Sequence, residues 1–206
     1  MAEHYFTKKP TTTSAPKKWT YTLKGNVFRF TTNRGVFSKN EVDFGSRLLI
    51  ESFEDPEIQG PILDVGCGYG PIGLALAKSF PKRLVHMIDI NERAIQLALE
   101  NAKNNEVNNV KIYESYLFDN VKEESFAAIV TNPPIRAGKK VVHDIFEKSL
   151  DYLKHEGTLW VVIQKKQGAP SAKKKLEELF NEVHIVRKEK GYFILKAKKI
   201  DSMTGV

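Results

Sequence analysis

The chain predicts an α/β fold: a mostly parallel sheet between helices, closed by an antiparallel pair and preceded by a β-hairpin. Three observations lead there. From residue 61 onward, apolar runs of strand length alternate with segments of helical spacing. The first of these runs ends in Leu63-Asp64-Val65-Gly66-Cys67-Gly68-Tyr69-Gly70, a glycine-rich turn of the kind that joins a strand to a helix. The last two runs follow each other with no helix between them, which makes them antiparallel neighbours.

Residues 8–18, rich in Thr, Pro and Lys and without periodicity, read as a flexible arm. Residues 19–23 and 27–31 alternate around Lys24-Gly25-Asn26, which predicts a β-hairpin whose aromatics either pack or stack on a base. Phe44, Leu48, Leu49 and Phe53 have the spacing of one helix face, predicting a helix over 43–53. Strand and helix then alternate. Strands are expected at 61–65, 83–89, 110–113, 126–131 and 158–163, with helices at 72–79, from the cap Asn91 through Asn101, and at 139–153, ended near Gly157. A helix over 171–180 and strands at 183–186 and 192–197 complete the chain. The domain reading is an arm over 1–18, one domain with its hairpin over 19–199, and a tail over 200–206.

The 206 residues, 41% hydrophobic, suffice for one core. Apolar stretches fall well short of the roughly eighteen residues a bilayer span needs, and the first residues lack a secretory pattern, so a soluble, cytoplasmic protein is expected. The single cysteine, Cys67, rules out an intramolecular disulfide and a cysteine-rich zinc site; its place in the glycine turn suits a small side chain better than a nucleophile. No metal site is expected. The net charge of +7 is unevenly spread: residues 1–40 carry eight basic and one acidic residue, 41–135 eight and fifteen, and 136–206 sixteen and nine. Two basic ends flanking an acidic middle suggest a polyanion footprint, with Lys139-Lys140, Lys165-Lys166 and Lys173-Lys174-Lys175 as candidates; a lysine-rich solubilising surface is the alternative.

In open α/β sheets ligands bind beyond the carboxyl ends of the strands, where Asp64, Asp89, Ser115 and Asn132 all fall. Asp89, about twenty residues past the glycine turn, is placed to accept hydrogen bonds from a vicinal ribose diol. Asp64 reads either as a group facing the charged end of a small cofactor or as a cap for the next helix. An acidic group beside the glycines would repel a pyrophosphate, which favours S-adenosylmethionine over a dinucleotide. Asn132-Pro133-Pro134-Ile135 follows a strand. Its prolines remove two backbone donors and fix φ, so carbonyls are held beside the asparagine amide. Together, the Asn132 side-chain oxygen and the Pro133 carbonyl could accept both hydrogens of an exocyclic amine and leave its lone pair aimed at a sulfonium methyl.

These motifs, with Gly35-Val36-Phe37-Ser38 and the pattern Asp43-x-Gly45-Ser46-x-Leu48-Leu49, resemble the class I S-adenosylmethionine methyltransferases. The closer resemblance is to the small-domain family around the RsmC-type ribosomal RNA guanine-N2 methyltransferases, over about residues 20 to 199. The resemblance implies a Rossmann-like sandwich with a seven-stranded, mostly parallel sheet whose last strand is antiparallel. It implies that S-adenosyl-L-methionine is bound by Phe37, Ser38, Asp43, Asp64, Val65, Gly66, Cys67, Gly68, Gly70, Asp89, Ile90, Ser115, Tyr116 and Asn132, with Asn132, Pro133, Pro134 and Ile135 at the reacting centre. It also implies small-subunit rRNA, or an assembly intermediate containing it, as the partner. Two departures stand out. RsmC-type enzymes carry an additional N-terminal domain, whereas this chain reads as the catalytic domain with a short arm. The position after Pro-Pro is often aromatic where a base must be stacked, but here it is Ile135, leaving Phe37 as either a stacking or a core residue. Methylation of a release-factor glutamine amide, methylation of a DNA amine, and noncatalytic RNA binding during ribosome assembly are the competing readings.

Overall fold

The computed structural model describes residues 13–36, 41–123 and 125–200, together with Lys8. The hairpin pairs β1 (Lys17–Leu23) with β2 (Asn26–Thr32). Its connection is Lys24-Gly25, with φ of 46° and 75°, the two left-handed residues that let a two-residue turn match strand twist. Regular pairing starts at Lys17, inside the expected arm, most of which lies outside the described residues.

There follow α1 (Phe44–Ser52), β3 (Ile62–Val65), α2 (Pro71–Ser79), β4 (Val85–Asp89), α3 (Glu92–Asn104), β5 (Val110–Glu114) and β6 (Phe126–Thr131). The chain ends with α4 (Lys139–Tyr152), β7 (Leu153–Gln164), α5 (Ala169–Leu179), β8 (Glu182–Glu189) and β9 (Tyr192–Lys198). The seven-stranded sheet has the order β5-β4-β3-β6-β7-β9-β8. Strands β3 to β7 pair in parallel, and β9 runs antiparallel to both its neighbours, β7 and β8. This is the α/β sheet expected from the element order. The order reverses between β3 and β6, so a crevice opens beyond their carboxyl ends.

One expected boundary is corrected. The helix over 139–153 does not stop near Gly157. It ends at Tyr152, and Leu153 turns extended (φ −82°, ψ 140°) to begin β7, so Gly157 lies within that strand. There a Cβ would come within 2.9 Å of the Lys154 carbonyl oxygen, so glycine is required for close backbone approach rather than for a helix stop.

Two apolar layers hold the sheet. On one face the hairpin and α1 to α3 bury Phe28, Phe30, Leu49, Leu76 and Ala98; on the other α4 and α5 bury Ile145, Phe146 and Leu176. Of the two readings of the hairpin aromatics, packing is the one observed: Phe28 and Phe30 stack with centroids 5.4 Å apart, and Phe30 meets Tyr69 edge-on at 5.5 Å. Helix α3 grips β2 through asparagines one turn apart. Asn101 accepts from Thr31 N–H at 2.7 Å and donates to the Thr31 carbonyl at 2.9 Å, while Asn105 does the same for Arg29 at 2.7 and 2.9 Å. Two side-chain amides thus satisfy the backbone groups that a further strand would otherwise pair.

Candidate active site

The glycine turn leaves β3 at Val65 and enters α2 at Pro71. Gly66 N–H and Cys67 N–H both donate to the Ile88 carbonyl at 2.9 Å, which pins the turn to the end of β4. Gly66 (φ 76°) and Gly68 (φ 57°) require the left-handed region, and a Cβ on either would meet no atom within 4 Å, because both border open space. That space is a cavity of about 340 Å³ at the strand-order reversal, within the range of small-molecule sites.

Among the residues expected at a site, Asp43, Val65, Gly66, Cys67, Gly68, Asp89, Ile90, Ser115, Tyr116, Asn132, Pro133 and Pro134 line this cavity together. Phe37 and Ser38 lie outside the described residues. Three others stand elsewhere. Asp64 is wholly buried behind the turn, where its Oδ2 accepts from Gly73 N–H in the first turn of α2 at 2.8 Å. Of the two readings of Asp64, this geometry is the helix-capping one; its Oδ1 has no partner among the described residues. Gly70 serves packing, since a Cβ there would approach Leu74 Cδ1 to 2.9 Å. Ile135 opens a short 3-10 turn, Ile135–Ala137, and packs against the α4 layer.

Asp89 closes the far wall. Its Oδ2 accepts from Gly68 N–H at 2.9 Å and its Oδ1 from Asn91 N–H at 2.8 Å, and Ile90 N–H is a third backbone donor to the carboxylate, which leaves part of its acceptor capacity for a ligand. Burial pushes its carboxyl up to about 6 against the pull of these backbone donors. Asp64 is pushed up to about 7 by burial, with the nearby Asp89 charge adding to the effect. Burial likewise pushes the Cys67 thiol up, aided by both carboxylates, so it is a protonated wall residue. Ser115 shapes the loop after β5 by donating to the Leu117 carbonyl at 2.8 Å and accepting from Asn120 N–H at 3.1 Å.

At the other end, Thr131 Oγ1 donates to the Val65 carbonyl at 2.9 Å, joining the strand ends that carry the two motifs. Asn132 Nδ2 donates to Ser46 Oγ at 3.0 Å and to Asp43 Oδ1 at 3.3 Å. Asp43 is also the N-cap of α1, accepting from Ser46 N–H at 3.1 Å. With both amide hydrogens directed at α1, the Asn132 oxygen is left for the cavity. The Pro133 carbonyl accepts from Ile135 N–H at 2.9 Å and keeps its second lone pair. The sequence assigns no site role to Ser46, which it shows only within the Asp43-x-Gly45-Ser46 pattern and whose partner is distant in the chain, nor to the apolar lining Val36, Tyr69, Leu117, Val141 and Ile145. Among the described residues no group of His, Cys, Asp or Glu could hold a metal ion, and no helix is long and apolar enough to cross a membrane.

With this geometry, similarity to known proteins becomes informative. A family profile described as the methyltransferase small domain matches residues 27–196. The Bacillus subtilis protein YbxB, described as uncharacterized, is 64% identical over 97% of this chain and 100% of its own length. Ribosomal RNA small subunit methyltransferase C of Vibrio cholerae is 31% identical over 89% of this chain and 53% of its own length. Among solved structures, the T. thermophilus 16S rRNA N2 methyltransferase RsmC, in complex with AdoMet and guanosine, is 26% identical, with a TM-score of 0.80 over 92% of this chain and 52% of that one. The chain therefore spans about half the length of these methyltransferase C relatives.

Proposed function

We propose, on the premise that this chain belongs to the methyltransferase small-domain family, that it methylates the exocyclic N2 amine of a guanine in small-subunit rRNA. Its cofactor is S-adenosyl-L-methionine. The residues present fit that group. Gly66 and Gly68 present bare backbone to the cavity, the wall is acidic rather than phosphate-binding, and the Asp89 carboxylate, steadied by three backbone donors, keeps acceptor capacity for a ribose hydroxyl. When bound, the cofactor supplies an electrophilic sulfonium methyl and a good leaving group.

What remains for the protein is orientation and electrostatics. The Asn132 oxygen and the Pro133 carbonyl accept the two hydrogens of the target amine. Held this way, the amine nitrogen is turned out of conjugation with its ring and its lone pair points along the cavity. The observation that carries this reading is the direction of the Asn132 amide, whose hydrogens are taken up by Ser46 and Asp43 so that an acceptor faces the substrate. Apolar lining from Val141 and Ile145 keeps water from competing for the same hydrogens.

Charge supports an RNA substrate. Arg136, Lys139 and Lys140 sit directly after the Asn-Pro-Pro loop, all exposed and with no ion pair among the described residues. Two lysines in the first turn of α4 oppose the helix dipole, a local instability that a phosphate backbone would relieve. By contrast, two candidates of the 173–175 cluster are locally compensated, Lys173 by Glu177 and Lys175 by Glu147 at 2.6 Å.

The test is nucleoside mass spectrometry of separated ribosomal subunits from cells with and without the protein, and with Asn132→Ala. Loss of N2-methylguanosine from the small subunit in the second and third cases is expected. Unchanged small-subunit rRNA would overturn the substrate and direct attention to a release-factor glutamine amide.

A further inference from the structure

Beside the Asn132 network, on the side away from the cavity, two rings and two cations meet. Phe44, the first residue of α1, lies between Asp43 and Gly45 and packs at the margin of the core against Tyr192 at the start of β9, with centroids 5.4 Å apart at 47°. Arg47 Cζ lies 5.0 Å from the centre of the Phe44 ring and Lys190 Nζ lies 4.9 Å from it. Both rings are only partly buried.

The placement is built into the backbone. Lys190 and Gly191, with φ of 46° and 79°, form the two-residue turn between β8 and β9, so Lys190 is held by a tight hairpin rather than a loose loop. The turn is tied to the end of β7 by Lys165 N–H donating to the Gly191 carbonyl at 2.8 Å. Gly45 lets Tyr192 lie against the first turn of α1, since a Cβ there would come within 2.8 Å of the tyrosine ring. Among the described residues neither Arg47 nor Lys190 has a carboxylate partner, and Lys165 and Lys166 beside them have none either. Elsewhere on the surface Lys196 meets Glu54 at 3.3 Å and Lys198 meets Glu156 at 3.0 Å. At this place cations without a carboxylate partner lie against aromatic faces.

Two like charges drawn to one ring repel each other and gain only the modest attraction of its π face. Each is relieved by an anion, and the ring they would vacate is a stacking surface. One ligand supplies both an anion and a flat π system: a nucleotide in a single strand. We propose that Phe44 and Tyr192 stack an unpaired base neighbouring the target nucleotide, while Arg47 and Lys190 hold its flanking phosphates. The proposal rests on the RNA reading above. It makes the substrate a single-stranded or locally opened segment, because a base inside a duplex offers no free face.

The test uses fluorescence anisotropy with labelled single-stranded oligoadenylate and with its oligouridylate duplex, across a salt series. The full chain is compared with Phe44→Leu and with the double variant R47Q/K190Q, and S-adenosylhomocysteine binding by calorimetry verifies that each is folded. Phe44→Leu is expected to weaken single-strand binding at least about fivefold while leaving duplex binding unchanged, in line with the stacking of one base. Because two phosphate contacts on a single strand are removed, R47Q/K190Q is expected to flatten the log–log salt slope by about 1.4. Should Phe44→Leu fail to bind S-adenosylhomocysteine, the charge variant decides alone. Wild-type affinity and slope in R47Q/K190Q would overturn the platform and leave the RNA reading intact. No binding of single-stranded RNA by the wild-type chain would overturn both.

Discussion

The side-chain amide of Asn132 donates to Ser46 Oγ at 3.0 Å, and this bond fixes which end of the amide faces the cavity. The second acceptor, Asp43 Oδ1, is longer at 3.3 Å and is shared with the cap of α1. Ser46→Ala removes the shorter bond without touching the cavity oxygen. A neutral hydrogen bond is worth about 1 kcal/mol, so kcat on the rRNA proposed as substrate is expected to fall about fivefold while S-adenosylmethionine affinity holds. Steady-state kinetics with calorimetry checks this, and an unchanged kcat would mean that Ser46 does not orient the amide.

Asn132→Ala goes further, since it deletes the acceptor itself. We expect a barrier increase on the order of 2–4 kcal/mol, comparable to removing one oriented transition-state partner. Ser46 acts only through Asn132, so the double variant should be no slower than Asn132→Ala alone. Additive losses in single-turnover rates would assign Ser46 a separate role.

Cofactor binding is expected to strengthen as pH rises through about 6. Burial raises the Asp89 carboxyl to about that value, and the ionised form is the stronger acceptor for a ribose hydroxyl. Below this pH the proton occupies one acceptor position. Calorimetric titration with S-adenosylhomocysteine from pH 5 to 8 should show the rise in wild type and a flat, weaker profile in Asp89→Asn. A profile that stays equally steep in the variant would place the titrating group elsewhere.

The parts of the site that the sequence discloses are those compressed into contiguous motifs. The glycine turn, Asp89 with its helix cap Asn91, and Asn-Pro-Pro are each a few residues long, and each has a chemistry that depends on local backbone. What it hides depends on long-range pairing. Ser46 acquires its role only because α1 packs beside the loop after β6, an arrangement no local pattern encodes. Asp64 was open to two readings because strand position alone does not say whether the carboxyl lies in the cavity wall or behind it, against α2. Asn101 and Asn105 look like weak helix formers until β2 is laid across them. Gly157 reads as a helix stop because glycine is common there, yet the same freedom serves a close approach inside β7.

Asp64 makes the protein less stable as pH rises. Its carboxyl is shifted from 3.8 in the free residue to about 7 in the folded chain. Between those values the folded state holds a proton that the unfolded state has released, so the unfolding free energy falls as pH rises through the window and levels off above it. Asp64→Asn keeps an oxygen for Gly73 N–H and removes the ionisation. Urea melts without cofactor should therefore show the variant gaining on wild type from about pH 4 to 7. Parallel curves would mean that Asp64 stays ionised in the folded chain.

The hairpin and the cofactor turn are coupled by ring contacts of Trp19 and Phe30 with Tyr69 and by one side-chain amide. Asn101 Nδ2 donates to the Tyr69 carbonyl at 2.9 Å as well as to Thr31, and its oxygen accepts from Thr31 N–H, so a single amide joins β2 to the glycine-rich segment. Asn101→Ala leaves the buried N–H and C=O of Thr31 without this partner and removes one bond from the Tyr69 carbonyl, and a buried backbone group left unpaired costs about 1–3 kcal/mol. We expect a loss of roughly 2–4 kcal/mol in stability, consistent with more than one such group. Weaker S-adenosylhomocysteine binding should accompany it under conditions where the variant is still folded. The affinity change separates the coupling from simple destabilisation: Asn105→Ala breaks the parallel contacts with Arg29 and does not touch Tyr69, so it should lower stability while leaving affinity at the wild-type value. Equal affinity losses in the two variants would show that the hairpin supports the turn through packing alone.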